Sequence, residues 1–203
     1  MKNIYIIGIG LIGGSLALNI KKLNPNAVIY GIDNNAEHLE EALSLNIIDA
    51  KAKIDDIVNA DLIVLSIPVD SSVIELPNIL DTVSDDALVI DVGSTKTDIC
   101  NVVANHPKRR NFLATHPISG TEFSGPKAAF LELFQNKTNI ICEVEQTAFK
   151  LQQKAIELFV NIGMRIRYMN PEAHDKHIAY MSHLSHISCN NMYLFRKIYR
   201  FSH

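Results

Sequence analysis

The sequence predicts an α/β fold in which a doubly wound, mostly parallel sheet is followed by the start of an all-helical domain. Short apolar runs alternate with longer amphipathic runs along most of the chain, which is typical of parallel strands joined by crossover helices. A glycine-rich turn also follows the first apolar run directly. After Asn170–Pro171 the pattern changes to a histidine-rich helix, so we predict one domain over 1–170 and the start of a second over 171–203.

Short apolar runs give the predicted strands. These are Asn3–Ile7, Ala27–Ile32, Leu62–Leu65, Ala87–Asp91, Phe112–Thr115, Asn139–Cys142 and Arg165–Tyr168. Helices are predicted between them because apolar residues recur at helical spacing, as at Leu16, Ile20 and Leu23. The segment 116–126 contains two glycines and two prolines, so it is predicted to be a loop.

The composition is that of an ordinary globular protein. Its 203 residues are 47% hydrophobic and 20% charged, which is enough for one good-sized core, or for one domain and the beginning of another. A net charge of -3 provides no electrostatic footprint for nucleic acid. No apolar segment reaches the roughly 20 residues that span a membrane. The three cysteines form no C-x-x-C pair, which fits reduced thiols in the core of a cytoplasmic protein.

The glycine-rich turn predicts a dinucleotide site of the Rossmann type. It reads Gly8-Ile9-Gly10-Leu11-Ile12-Gly13, between a predicted strand and a predicted helix. Gly8 would permit the tight turn, Gly10 would let the backbone approach a pyrophosphate, and Gly13 would let the helix pack on the strand. The phosphates would lie at the helix N-terminus, where the N–H groups around Leu11 and Ile12 have no partner within the helix.

An acidic residue at the end of the second predicted strand indicates which dinucleotide binds. Asp33 lies 20 positions after Gly13, where a carboxylate can accept hydrogen bonds from the ribose hydroxyls of NAD. Asn34 and Asn35 follow it in place of an arginine that could pair with a 2′-phosphate, so NAD is favoured over NADP. The alternative is that Asp33 caps a helix over Asn35–Leu45, and both roles can coexist.

Polar residues follow three further predicted strands. The segments are Ser66-Ile67-Pro68, Asp91-Val92-Gly93-Ser94-Thr95-Lys96 and Thr115-His116-Pro117-Ile118-Ser119-Gly120-Thr121-Glu122. Carboxyl ends of parallel strands share one edge, so these segments should open on the crevice of the glycine-rich turn, with Ser66 and Pro68 beside the cofactor. Removing hydride from an alcohol carbon needs a group that accepts the hydroxyl proton, and His116 is the best-placed histidine. Ser94 could orient His116 or the substrate.

Plainer interpretations of these residues stay open. Ser94 or Thr95 could cap a helix over Lys96–Ala104, because a serine after a strand often caps the next helix. A single histidine in a loop, such as His116, is commonly a surface residue. The arrangement is a stronger indication than either residue alone.

The histidine-rich helix invites a metal interpretation, which its geometry opposes. His174-x-x-His177 and His183-x-x-His186 resemble pairs of ligands, but His174 and His186 would lie roughly 18 Å apart along a continuous helix. No carboxylate or thiolate set completes either pair, so no metal site is predicted. Ser182 and His186 are four residues apart and share a face that suits an anionic small molecule. A polar face against solvent or a partner subunit is the alternative.

The motifs together resemble those of the prephenate dehydrogenase family of tyrosine biosynthesis, over about 1–188. The matching pieces are the glycine-rich turn with Asp33, the Asp91–Lys96 and His116–Glu122 segments, and His174-Asp175 leading to Ser182-His183-Leu184-Ser185-His186. This resemblance implies an enzyme that oxidatively decarboxylates prephenate, with NAD+ as hydride acceptor and arogenate as a further possible substrate. Members of the family form homodimers through their helical domain, and the lack of a membrane-length segment makes the cytoplasm the expected location.

The resemblance also assigns roles to residues. It implies that His116 hydrogen-bonds the substrate hydroxyl and assists its deprotonation, with support from Ser94. The residues that it places in or near the substrate pocket are Ser182, His186, His174, Thr121 and Glu122.

Two other functions remain open at this point. The tail 189–203 does not resemble the family's continuation into a helical, dimer-forming domain, so the chain could be a shortened product that binds NAD without turnover. A related small-acid dehydrogenase would place a catalytic lysine after the domain boundary, where Lys176 lies.

Overall fold

A computed structural model describes residues 1–181. Its strands are β1 (Asn3–Ile7), β2 (Val28–Ile32), β3 (Ala50–Lys51), β4 (Leu62–Leu65), β5 (Leu88–Asp91), β6 (Phe112–Pro117), β7 (Thr138–Cys142) and β8 (Arg165–Met169). Its helices are α1 (Leu11–Leu23), α2 (Ala36–Ser44), α3 (Val69–Thr82), α4 (Thr97–Val102) and α5 (Phe149–Asn161). Residues 171–181 are also helical and are called α6.

The described strands form a single sheet in the order β3-β2-β1-β4-β5-β6-β7-β8. β6 and β7 run antiparallel, and every other neighbouring pair in this sheet is parallel. The strand order reverses between β1 and β4, so the crevice beyond their carboxyl ends is where a doubly wound sheet binds ligands. The predicted Rossmann-type, mostly parallel α/β fold is confirmed.

The core lies on both faces of the sheet because successive strand residues point to opposite sides. On one face Ile6 packs with Leu16 and Ile20 of α1, at the helical spacing that predicted this helix. On the other face Leu65 packs with Leu76 of α3. Helices therefore cover both faces of the central strands. This packing fixes the positions of the carboxyl ends of β1 and β4 relative to each other.

The structure departs from the sequence prediction in three places. β3 was missed because two residues are too few to produce an apolar run. β6 continues through His116 and Pro117, which were predicted to belong to the following loop. The chain between β6 and β7 forms short 3-10 helices, Pro126–Ala128 and Leu131–Phe134, in place of a crossover helix, and the two strands pair antiparallel.

Two further properties concern the described range. Within 1–181 there is no helix of the length and apolarity that crossing a bilayer requires. Cys100 and Cys142 are buried free thiols, and burial raises the pKa of Cys142 to about 12. A thiol that stays protonated at neutral pH is a poor nucleophile, which fits the interpretation of these cysteines as core residues.

Candidate functional site

The turn between β1 and α1 has the geometry of a phosphate-binding loop. Gly8 has φ +92°, and a Cβ there would overlap the backbone of Ser66. A Cβ on Gly13 would overlap the carbonyl oxygen of Gly8, so these glycines allow α1 to start close to β1 and β4. Gly10 differs, because a Cβ there would meet nothing within 4 Å. The backbone at Gly10 therefore borders open space from which a phosphate could approach it.

The start of α1 keeps its amide groups available for such a ligand. The N-cap residue, Gly10, makes no side-chain cap, and the backbone N–H groups at the beginning of a helix have no acceptor within it. Leu11 and Ile12 are the first residues of this helix and are half-buried. Unpaired N–H groups and the positive end of the helix dipole together favour an anion here.

Asp33 lies against this loop at the end of β2. Its Oδ2 accepts a hydrogen bond from the backbone N–H of Ile9 (2.8 Å), and its Oδ1 accepts one from the N–H of Asn35 (2.8 Å). Helix α2 is capped instead by Asn35, whose side chain accepts from the N–H of Glu37, so the interpretation of Asp33 as the helix cap is wrong. Its side chain is 14% exposed, and its oxygens retain acceptor capacity for ribose hydroxyls.

Ser66 and Pro68 follow β4, and Ser66 borders the same loop. The N–H of Ser66 donates to the carbonyl of Ile7 (2.7 Å), which continues the β1–β4 pairing up to the glycine-rich turn. Pro68 is the exposed residue that precedes α3. Ser66 is thus close to the loop in the fold, and contact of Ser66 and Pro68 with a cofactor stays a prediction.

A buried ion pair joins the carboxyl ends of β5 and β6. The ammonium of Lys96, which is fully buried, donates to Asp91 Oδ2 and to the carbonyl oxygen of Thr115 (2.8 Å). Asp91 Oδ2 also accepts from the N–H of Gly93 (3.0 Å), and Thr115 Oγ1 donates to the Asp91 carbonyl (2.6 Å). Burial raises the pKa of Asp91, against the opposing effect of Lys96. The network fixes the residue directly before His116.

His116 begins a chain of hydrogen-bonded side chains that links β6 to α6. Its Nδ1 lies 2.9 Å from Nε2 of His174, whose Nδ1 lies 2.7 Å from Oδ1 of Asp175. His174 is fully buried, whereas His116 is half-buried. Asp175 also accepts hydrogen bonds from the backbone N–H groups of Lys96 (2.8 Å) and Thr97 (2.9 Å) at the start of α4.

Burial is the main reason that both of these histidines are neutral. Burial, with smaller contributions from Lys96 and His174, lowers the pKa of His116 to about 3. Burial also lowers the pKa of His174, although Asp175 opposes the shift. His116 is therefore an unprotonated imidazole at neutral pH, and it can accept a proton from a bound hydroxyl group.

Ser94 lies in the exposed loop between β5 and α4. Helix α4 begins at Thr97 without a side-chain cap from its N-cap residue, Lys96, and Asp175 accepts from its first N–H groups instead. The interpretation of Ser94 or Thr95 as the cap of this helix is therefore wrong. The predicted role of Ser94 beside His116 stays a prediction.

The remaining predicted substrate residues divide into two groups. Thr121 and Glu122 are exposed in the loop after β6, where they line a cavity of about 600 Å³ together with Phe123. His116 is not among the residues that line this cavity in the described part of the chain. Ser182 and His186 lie outside the described residues.

No group of three or more histidine, cysteine or acidic residues within 1–181 is arranged to hold a metal ion. His174, which the metal interpretation would use, is hydrogen-bonded between His116 and Asp175. His177 and Lys176 are exposed on α6.

Lys96 and Asp175 are functional candidates that the sequence interpretation left without a role. Both stand in the motifs that suggested the family, and each is a charged residue close to a predicted site residue. Lys96 follows the catalytic candidate Ser94 by two positions, and Asp175 directly follows His174, which was predicted to bind substrate. A charged residue near a predicted site residue was the signal available, but it did not show which groups Lys96 and Asp175 would contact.

The fold and the glycine-rich loop define a dinucleotide-binding domain of the Rossmann type. Residues 16–168 match the family described as "Prephenate dehydrogenase, nucleotide-binding domain". The chain belongs to the prephenate dehydrogenase family. The match begins after Gly13, so it is independent of the glycine-rich turn, and the prediction of this family is confirmed.

Individual relatives agree with this assignment. A prephenate dehydrogenase of Bacillus subtilis is 33% identical over 188 residues, which are 91% of this chain and 51% of the relative. The prephenate dehydrogenase of Aquifex aeolicus has a solved structure with a TM-score of 0.83 at 30% identity, covering 100% of this chain and 73% of that one. A second structure from A. aeolicus, in complex with hydroxyphenyl propionate and NAD+, has a TM-score of 0.79 at 30% identity over 100% of this chain and 71% of that one. The chain spans about half the length of its curated B. subtilis relative.

Proposed function

We propose that this chain catalyses the NAD+-dependent oxidative decarboxylation of prephenate to 4-hydroxyphenylpyruvate. The observation that carries the proposal is the unprotonated imidazole of His116 at the carboxyl end of β6. The chain belongs to the prephenate dehydrogenase family, and its glycine-rich turn has the geometry of a phosphate-binding loop. The NAD+ complex of the A. aeolicus relative supports the choice of cofactor. Asp33, with no arginine in the two positions after it, supports NAD over NADP.

The residues of the chain would handle one proton during this reaction. His116 would accept the proton of the substrate hydroxyl while hydride leaves the same ring carbon for the nicotinamide of NAD+. The ring carboxylate then leaves as CO2, and the electrons of the broken C–C bond enter the ring. His116 would return its proton to the oxygen, which becomes the phenol. The sum is prephenate and NAD+ giving 4-hydroxyphenylpyruvate, CO2 and NADH, with no net proton change.

The other predicted site residues are proposed to surround this chemistry. The residues of the glycine-rich turn, Asp33, Ser66 and Pro68 would hold NAD+, and Ser94 would support the contact of His116 with the substrate. Thr121, Glu122, Ser182 and His186 would line the substrate pocket. We propose a dinucleotide domain over 1–170 and the start of a second domain at α6. We also propose a cytoplasmic location, and a homodimer as the resemblance implies.

One observation favours a second candidate function. The dinucleotide site lies on β1, α1 and β2, apart from His116 on β6, so binding of NAD+ without turnover is the second candidate. The related small-acid dehydrogenase is less well supported, because Lys176 is exposed on α6 while His174 contacts His116.

A single assay separates these functions. Purified chain is mixed with NAD+ and prephenate, NADH absorbance is followed, and NAD+ binding is measured in parallel. Formation of NADH with prephenate, and none with 3-hydroxyisobutyrate, is the expected result. Binding of NAD+ without NADH formation would favour the inactive chain, and turnover of the small hydroxy acid alone would favour the other dehydrogenase class.

A further inference from the structure

We propose that Asp175 is a positioning residue that fixes the tautomers of His174 and His116, so that Nε2 is the unprotonated nitrogen of His116. This inference rests on the proposed function for its catalytic meaning. The tautomers themselves follow from the hydrogen-bond geometry and can be measured without turnover. The fixed end of the chain of hydrogen bonds is the carboxylate of Asp175.

Asp175 can act only as an acceptor. Its Oδ1 accepts from the N–H of Lys96 and its Oδ2 from the N–H of Thr97, and a backbone N–H can only donate. Burial would raise the pKa of Asp175, but hydrogen bonds from Thr97, His174 and Lys96 outweigh it and lower that pKa. The carboxyl group is therefore ionised at neutral pH and has no proton to give to His174.

The orientation of the two histidines follows from this ionised carboxylate. Nδ1 of His174, at 2.7 Å from Asp175 Oδ1, must carry the proton of that hydrogen bond. A neutral imidazole has one N–H, so Nε2 of His174 is an acceptor and Nδ1 of His116, at 2.9 Å, must donate to it. His116 is also neutral, which leaves its Nε2 without a proton.

Nε2 of His116 is then the atom that accepts a proton from a substrate hydroxyl. If Nε2 of His174 donated to Nδ1 of His116 instead, Nε2 of His116 would carry a proton and could not accept one, although no residue would change position. A carboxylate that selects the productive tautomer of a histidine is an established device in other enzymes. In this chain the carboxylate acts through one intervening histidine.

Asp175 could alternatively serve only to cap the first turn of α4. The two roles differ in what they predict for His116, which does not contact Asp175 directly. If Asp175 only capped the helix, a substitution at residue 175 would not change the tautomer of His116. A matched control is Asp98, an exposed acidic residue in the first turn of the same helix.

The test is a long-range proton–nitrogen NMR spectrum of the histidines in the full chain. The chain has 8 histidines, and the His116→Gln and His174→Gln variants assign the two signals. We expect both rings of the wild-type protein to be neutral and protonated on Nδ1 at pH 7. In Asp175→Ala, we expect the His116 signal to move toward the form protonated on Nε2, and in Asp98→Ala we expect no change.

A wild-type His116 protonated on Nε2, or an Asp175→Ala spectrum identical to that of the wild type, would overturn the proposal. The wild-type spectrum decides the question even where the variant fails to fold. As a second readout, Asp175→Ala should lower kcat roughly tenfold or more, with the KM for NAD+ unchanged. Absence of turnover in the wild type would contradict the proposed function and leave the tautomer result intact.

Discussion

His116→Gln is expected to lower the rate of NADH formation from prephenate by about 10²–10⁴-fold, the usual contribution of a positioned acid–base group. The glutamine oxygen can accept a hydrogen bond at this position but cannot take up a proton at neutral pH. The affinity for NAD+ should stay unchanged, because the glycine-rich loop and Asp33 are built from β1, β2 and α1. Steady-state kinetics with a parallel NAD+ titration measure both quantities.

The matched control for this variant is His106→Gln. His106 precedes the amino end of β6, whereas His116 is the penultimate residue of β6, so the two histidines lie toward opposite ends of this strand. The control should retain the wild-type rate. A His116→Gln protein that keeps more than half of the wild-type rate would remove His116 from the mechanism.

Lys96→Met is expected to cost about 3–5 kcal/mol of unfolding free energy, because it leaves the carboxylate of Asp91 buried without its partner. Asp91 and Lys96 are both fully buried, and methionine fills a similar volume without the charge. The loss should be smaller at pH 4 than at pH 7. Without Lys96 the pKa of Asp91 rises further above its unfolded value, so the folded state binds a proton more readily as the pH falls. Urea unfolding at the two pH values measures this.

Two companion variants test the cause of this loss. Lys150→Met removes an exposed lysine whose Nζ lies 3.6 Å from Asp86, and such surface pairs contribute about 0–1 kcal/mol. The double variant Asp91→Asn with Lys96→Met removes both charges and should recover part of the stability. A Lys96→Met protein as stable as Lys150→Met would show that the buried pair does not hold β5 and β6 together.

The fold could be predicted from the sequence where the signal is local. An apolar run of four or five residues, such as Leu62–Leu65, identifies a strand, and the helical spacing of Leu16, Ile20 and Leu23 identifies α1. Strand direction is not encoded in such runs. The antiparallel pairing of β6 and β7 follows from the absence of a crossover helix between them. That absence depends on the whole segment that connects the two strands, and no short pattern of residues indicates it.

The same distinction applies to the site. The glycine-rich turn and Asp33 were found because their spacing in the sequence is part of the motif itself. The contact between His116 and His174 joins residues 58 positions apart, and the one between Lys96 and Asp175 joins residues 79 apart. Only the fold brings these pairs together. The sequence could therefore name the residues of the histidine chain without showing which of them face each other.

The loop at Gly10 should bind NAD+, and titration calorimetry of the chain with NAD+ tests this binding most directly. Gly10→Ala adds one methyl group in open space, so it should fold like the wild type and block only the approach of the pyrophosphate. Gly120→Ala is the control, because its added Cβ also meets nothing within 4 Å and lies outside the loop. We predict saturable NAD+ binding that Gly10→Ala weakens by at least about tenfold, with an unchanged melting temperature and no effect of Gly120→Ala. Absence of NAD+ binding in the wild type, or equal affinity in Gly10→Ala, would contradict NAD+ binding at this loop.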